Sequence, residues 1–189
     1  MGNHIHLLAV PREDTSLARG IGLTNMVYTQ YLNRRLCNSG RVWQNRFFSC
    51  AVEKETYLWS VARYIEKNPV KAGIIEKAEE YQWSSARSHL LNRPDRLLSG
   101  EQWLSEAERS DYYAFFEEDS EEIEKAIRQR TCAGRPLGRD AFIDYLELQY
   151  GQRLRAGKKG GRRKKLLKNR EVSLFFLKPP GQPLSRWAT

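Results

Sequence analysis

Two histidines, a tyrosine and an asparagine have the types and spacing that could do chemistry in this chain. His4 and His6 flank Ile5. Side chains alternate along a strand, so both imidazoles lie on one face of an extended segment, with Ile5 and Leu7 on the other. Two imidazoles on one face can grip a single divalent cation, although two surface histidines have the same spacing. Tyr64 and Asn68 stand four apart in a helical pattern and so share a helix face. That face is rotated away from the apolar stripe of the same helix. Tyr64 could equally be a packing tyrosine at the core edge, and Asn68 a helix cap before Pro69. The third histidine, His89, sits among polar residues and reads as a surface residue.

The elements that must position these groups follow from periodicity and punctuation. His4 to Val10 reads as a strand ended by Pro11. Thr15 or Ser16 can cap a long helix that runs to about Leu36, and Asn38-Ser39-Gly40 is a turn. Arg46 to Val52 is a second strand candidate. Glu55 to Asn68 is a helix with Leu58, Val61, Ala62 and Ile65 as its core stripe. Pro69 is expected to stop it. Trp83 to Leu91 is a short helix. The acidic stretch Glu101 to Glu124 reads as two helices, near Ser105 to Phe116 and Asp119 to Arg130. Cys132 to Gly138 is a linker, and Arg139 to Tyr150 a helix ended by Gly151. Arg155 to Arg170 is a Lys/Arg block with no acidic residue, the kind of segment that orders on meeting an anion. The apolar knot Leu174 to Leu177 has no evident role. The expected divisions are 1–92, 93–154 and 155–189.

The 189 residues carry 32 Lys and Arg against 23 Asp and Glu, a net charge of +9. Clustered positive charge favours a polyanionic partner, and nucleic acid is the usual one. No apolar run approaches the roughly 20 residues of a membrane helix, and the amino terminus lacks the pattern of a signal peptide. Cys37, Cys50 and Cys132 are odd in number, far apart and without a CxxC pair, as in reduced cytosolic proteins. A cytoplasmic protein without a membrane partner is expected.

Several short motifs occur together in order. Met1-Gly2-Asn3-His4-Ile5-His6-Leu7-Leu8 is followed by Val27-Tyr28-Thr29-Gln30-Tyr31-Leu32-Asn33-Arg34-Arg35 and by Trp43-Gln44-Asn45-Arg46-Phe47. Arg63-Tyr64-Ile65-Glu66-Lys67-Asn68-Pro69-Val70-Lys71-Ala72-Gly73 and Trp83-Ser84-Ser85 complete the series. Together these resemble the REP-associated tyrosine transposases, members of the HUH class of single-strand nucleases with one catalytic tyrosine. The resemblance extends from Met1 to about Ser88. Arg135-Pro136-Leu137-Gly138 and the helix after it also resemble the C-terminal region of some members.

The resemblance implies an α+β fold: a ferredoxin-like HUH nuclease core with a helical C-terminal region and a basic tail. It implies that Tyr64 is the nucleophile and that His4, His6 and Asn68 hold Mg²⁺ or Mn²⁺. All three ligands are neutral, so the cation would keep its charge for a phosphodiester oxygen. Cutting hairpin-forming single-stranded DNA would leave a 5′-phosphotyrosine link and a free 3′-OH. Arg34, Arg35, Arg46 and Lys71, close in sequence to these segments, are candidate phosphate contacts. Trp43 could stack on an unpaired base or pack in the core. A monomer is favoured over a homodimer.

Family members carry further residues ahead of the paired histidines, which supply strands and a helix. The chain is therefore expected to be a core lacking its first strands, with Ile5, Leu7 and part of the long helix left uncovered. The rival reading is a truncated, non-catalytic DNA-binding remnant. A general basic nucleic-acid-binding protein, with the motifs accidental, is the third.

Overall fold

The computed structural model describes residues 4–11, 13, 15–43, 47–98, 104–155 and, for the backbone, 172–175. The architecture is mixed and mostly helical, with one short parallel sheet among the described residues. The chain divides into two compact units. Lys54–Gln129 belongs to one; Gly2–Glu53 and Arg130–Leu177 belong to the other.

In the second of these units, β1 (His6–Ala9) pairs in parallel with β2 (Val172–Phe175). His6 stands opposite Val172, and Ala9 opposite Phe175. The knot at Leu174 and Phe175 thus acquires a structural role. The basic block before it lies outside the described residues.

Helix α1 (Ser16–Arg35) forms within one residue of its expected bounds. Its entry is fixed by Ser16 Oγ, which donates to the Glu13 carbonyl at 2.8 Å. Arg34 and Arg35 fall in its last turn, where cations suit the helix dipole. No residue of α1 is buried. Leu23, Met26, Val27, Tyr28 and Tyr31 are all exposed.

Over residues 47–52, the described part of the strand expected at Arg46 to Val52, the chain forms bridges and not a continuous strand, and the expectation is corrected there. Instead Val52 makes an isolated parallel bridge to Leu137. The Leu137 N–H donates to the Ala51 carbonyl at 2.8 Å, and the Glu53 N–H to the Leu137 carbonyl at 2.9 Å. The ladder cannot extend on the Leu137 side, because helix α6 (Asp140–Tyr150) begins almost at once. Cys50, Val52, Leu137, Ile143 and Leu146 form this unit's buried apolar set.

The other unit is built on α2 (Lys54–Lys71). This helix does not stop at Pro69, as expected, but carries it inside and runs on to Lys71. A proline so near a helix end removes only one internal hydrogen bond. Bonds from Ala72 N–H to the Asn68 carbonyl and from Ile74 N–H to the Pro69 carbonyl, both 3.0 Å, close the last turn. Gly73, at φ 66°, supplies the left-handed residue that this closure needs. A short 3₁₀ turn (Ala78–Glu80) and α3 (Ala86–Leu91) follow.

Helix α4 (Glu106–Glu117) starts at a capping box, in which Ser105 and Glu108 satisfy each other's backbone N–H. Helix α5 (Glu121–Ala133) follows, with three glutamates in its first turn. Leu58, Val61, Ala62, Leu90, Tyr112, Phe116 and Ile127 are buried here. Trp59 lies edge-on to Tyr112 at 5.6 Å between ring centroids.

Candidate active site

His6 is the first residue of β1, and His4 lies two residues ahead of it. Both imidazoles are half-buried, whereas Ile5 is 56% exposed and Leu7 40%, so the alternation places His4 and His6 on one face. Their rings meet edge to face, 4.8 Å between centroids. Burial, and secondly the nearby His4, push His6 down to about pH 4. Burial also lowers His4. Near neutral pH both imidazoles are therefore uncharged, the form that ligates a metal. Their spacing suits two ligands of one cation.

Tyr64 and Asn68 share one face of α2 in the other unit. Tyr64 is only 7% exposed, and the Arg128 guanidinium lies 5.7 Å from its ring centroid. Asn68 is half-buried and sits within the helix, not at its cap. Among the described residues, no group of three or more His, Cys, Asp or Glu side chains is placed to hold a metal ion.

The basic residues differ in their engagements. Arg34 is exposed. Arg35 donates to the Tyr31 hydroxyl at 2.7 Å, which couples a cation to an exposed aromatic ring. Lys71 pairs with Glu124 and, at 3.8 Å, with Asp119; a phosphate there would compete with two carboxylates. Arg46 and Gln44 lie outside the described residues. Trp43 is half-buried against α1, with Nε1 donating to the Asn25 carbonyl at 3.0 Å and Tyr28 5.6 Å away. That is the packing alternative for this residue.

His89 is not a surface residue, and this expectation is corrected. Its side chain is 15% exposed, with Nδ1 against Glu66, a carboxylate of zero exposure. Glu66 also accepts from Ser85 Oγ at 2.6 Å and from the Tyr112 hydroxyl at 2.9 Å. Sequence reasoning missed this cluster. Glu66 follows Ala62 by four residues and so sits beside the core stripe, a signal that could have found it.

Residues 1–68 match the family model of IS200-like transposases. Over that segment the chain is similar to the IS200-like transposases. The matched stretch ends at Asn68, so it takes in His4, His6, Tyr64 and Asn68 and leaves out α3 to α6. A Haemophilus influenzae protein named as a candidate REP-associated tyrosine transposase is similar to this chain, 30% identical over 93 residues. The alignment covers 44% of this chain and 53% of that relative, so the chain spans about half the length of the curated protein it matches. No solved structure matches this chain. Among the described residues, no helix is long and apolar enough to cross a membrane.

Proposed function

We propose that the chain is a transposase that cuts and rejoins hairpin-forming single-stranded DNA, with Tyr64 as nucleophile. The observation that carries this reading is the family match over residues 1–68, which contains the paired histidines, the tyrosine and the asparagine together. A ferredoxin-like HUH core is the architecture proposed for this segment. His4, His6 and Asn68 would hold Mg²⁺ or Mn²⁺, and the uncharged state of both histidines suits that role. The bound cation would polarise the phosphodiester.

Tyr64 Oη attacks phosphorus in line, forming a 5′-phosphotyrosine link as the bond from phosphorus to the 3′-oxygen breaks. The phenol gives up its proton and the departing 3′-oxygen gains one, leaving a 3′-OH. Phosphodiester energy is kept in the link, so the reverse attack rejoins the strand without ATP. Arg34 and Arg35 would bind phosphates along the strand, with Arg46 and Lys71 as further candidates. The chain would act as a soluble cytoplasmic monomer.

A second reading, a non-catalytic DNA-binding remnant, is favoured by the 7% exposure of Tyr64 and by the bare apolar face of α1. A labelled hairpin with a single-stranded flank, incubated with Mg²⁺, separates the two. A covalent adduct that disappears in Tyr64→Phe and with EDTA is expected. An undiminished adduct in Tyr64→Phe removes the nucleophile assignment, and DNA binding without any adduct establishes the remnant.

A further inference from the structure

Helix α2 buries two charged side chains, and they flank Tyr64 in sequence. Arg63 is 3% exposed and Glu66 has no exposure. Both engage α4. Arg63 Nη1 donates to the Phe115 carbonyl at 2.6 Å, and its guanidinium lies 4.0 Å from the Phe115 ring centroid. Glu66 accepts from the Tyr112 hydroxyl at 2.9 Å through one oxygen; through the other it accepts from Ser85 and meets His89 Nδ1.

We infer that α4 is a clamp that fixes the rotation of α2 and thereby aims Tyr64, with Arg63 and Glu66 as the positioning residues. This rests on the reading of Tyr64 as nucleophile. Apolar residues would bury the same helix face at lower desolvation cost, so buried charges here are better explained by geometry than by stability. Each residue turns a helix by about 100°. Arg63 and Glu66 therefore point about 60° apart, and Tyr64 projects away from both. A rotation of α2 large enough to redirect Tyr64 breaks the bond to the Phe115 carbonyl and the bond to Tyr112 together. Helix α4 lies beyond the residues that match the transposase family. The C-terminal region is then part of the catalytic machinery through contacts that a core ending near Asn92 would lose.

The test uses the full chain with Tyr112→Phe, which removes one hydroxyl and keeps the ring. 3-Fluorotyrosine labelling gives a ¹⁹F resonance for Tyr64, assigned by its loss in Tyr64→Phe. Melting temperature, hairpin binding and single-turnover adduct formation are measured on unlabelled protein. The clamp predicts a melting temperature lowered by only a few degrees and little change in hairpin binding. It also predicts a displaced or broadened Tyr64 resonance and adduct formation slowed by about tenfold or more. Glu66→Gln, which keeps an acceptor for Tyr112, should recover part of the rate that Glu66→Ala loses. An unmoved resonance with an unchanged adduct rate overturns the clamp and leaves Tyr64 as nucleophile. So does a loss of rate that vanishes when both proteins are compared well below their melting temperatures. An adduct persisting in Tyr64→Phe overturns the nucleophile reading and the aiming role with it.

Discussion

Arg139 closes on Glu53 from three directions. Nε and Nη2 both donate to Oε1, at 2.9 and 2.7 Å, and the Arg139 backbone N–H donates to Oε2 at 2.9 Å. Glu53 is 5% exposed, whereas the Arg139 side chain is two-thirds exposed at 66%. The carboxylate therefore does two jobs: it neutralises a guanidinium and receives the first free N–H ahead of α6.

Because the Arg139 guanidinium can turn to water, losing Glu53 chiefly takes the acceptor from the Arg139 backbone N–H. Glu53→Ala should cost about 1–3 kcal/mol, below the 3–5 kcal/mol range for breaking a fully buried pair. Glu53→Gln should cost less, since an acceptor for the backbone N–H remains. Urea unfolding of the three proteins checks the order. Equal losses for the two variants would show that the charge, and not the acceptor, matters.

Gly138 precedes this residue and has no room for a side chain. A Cβ there would run into the Phe142 ring and come within 3.1 Å of Glu53 Cβ. Gly138→Ala should therefore destabilise the protein by about 1–3 kcal/mol through overpacking. Combined with Phe142→Ala, the alanine should cost less than it does alone, since the ring is the main obstruction. Additive costs in that double-mutant cycle would remove the steric explanation.

What the sequence disclosed depended on how far apart the interacting residues lie. The helices were legible because their signals are local: the Leu58/Val61/Ala62 stripe, the Thr15 or Ser16 start, Gly151 after Tyr150. The partner of β1 was not, since His6 and Val172 are brought together only by the parallel pairing itself. The strand expected at Arg46 to Val52 failed for the converse reason. Its residues have strand propensity, but strand structure needs a partner ladder, and among the described residues Leu137 pairs with Val52 alone. Of the candidate site, the face shared by His4 and His6 followed from strand alternation. The burial of Tyr64 and the Glu66 cluster depend on helices more than twenty residues away in sequence, as the bond from Tyr112 shows.

The cysteines should differ sharply in reactivity. Cys37 is exposed and Cys50 buried, with the Cys50 thiol 2.9 Å from the Arg135 carbonyl that accepts from it. Burial pushes the Cys50 thiol up to about 12 from a usual 9.0. Between those values the unfolded chain releases a proton that the folded chain keeps, so stability falls as pH rises through that window. At pH 8 a thiol reagent should modify Cys37 rapidly and Cys50 only on unfolding. Cys50→Ala should flatten the alkaline loss of stability. A Cys50 that reacts as fast as Cys37 in the native protein would contradict its burial.

The histidine pair allows a metal test that does not depend on cleavage. Mn²⁺ is paramagnetic and broadens the NMR signals of the groups that bind it. Uncharged His4 and His6, with rings 4.8 Å apart, should present two lone pairs to one ion, whereas His89 is held against Glu66 in the other unit. At pH 7, small additions of Mn²⁺ should broaden the His4 and His6 ring signals together and leave those of His89 sharp until much higher concentration. EDTA should restore them. His6→Ala should weaken the effect on His4 by about tenfold or more, because one imidazole alone is a poor ligand set for a hard cation. Asn68→Ala should weaken it further if the asparagine completes the site. Were His89 to broaden first, or His4 to respond equally without His6, the two-histidine metal centre would be wrong, whatever the fate of Tyr64.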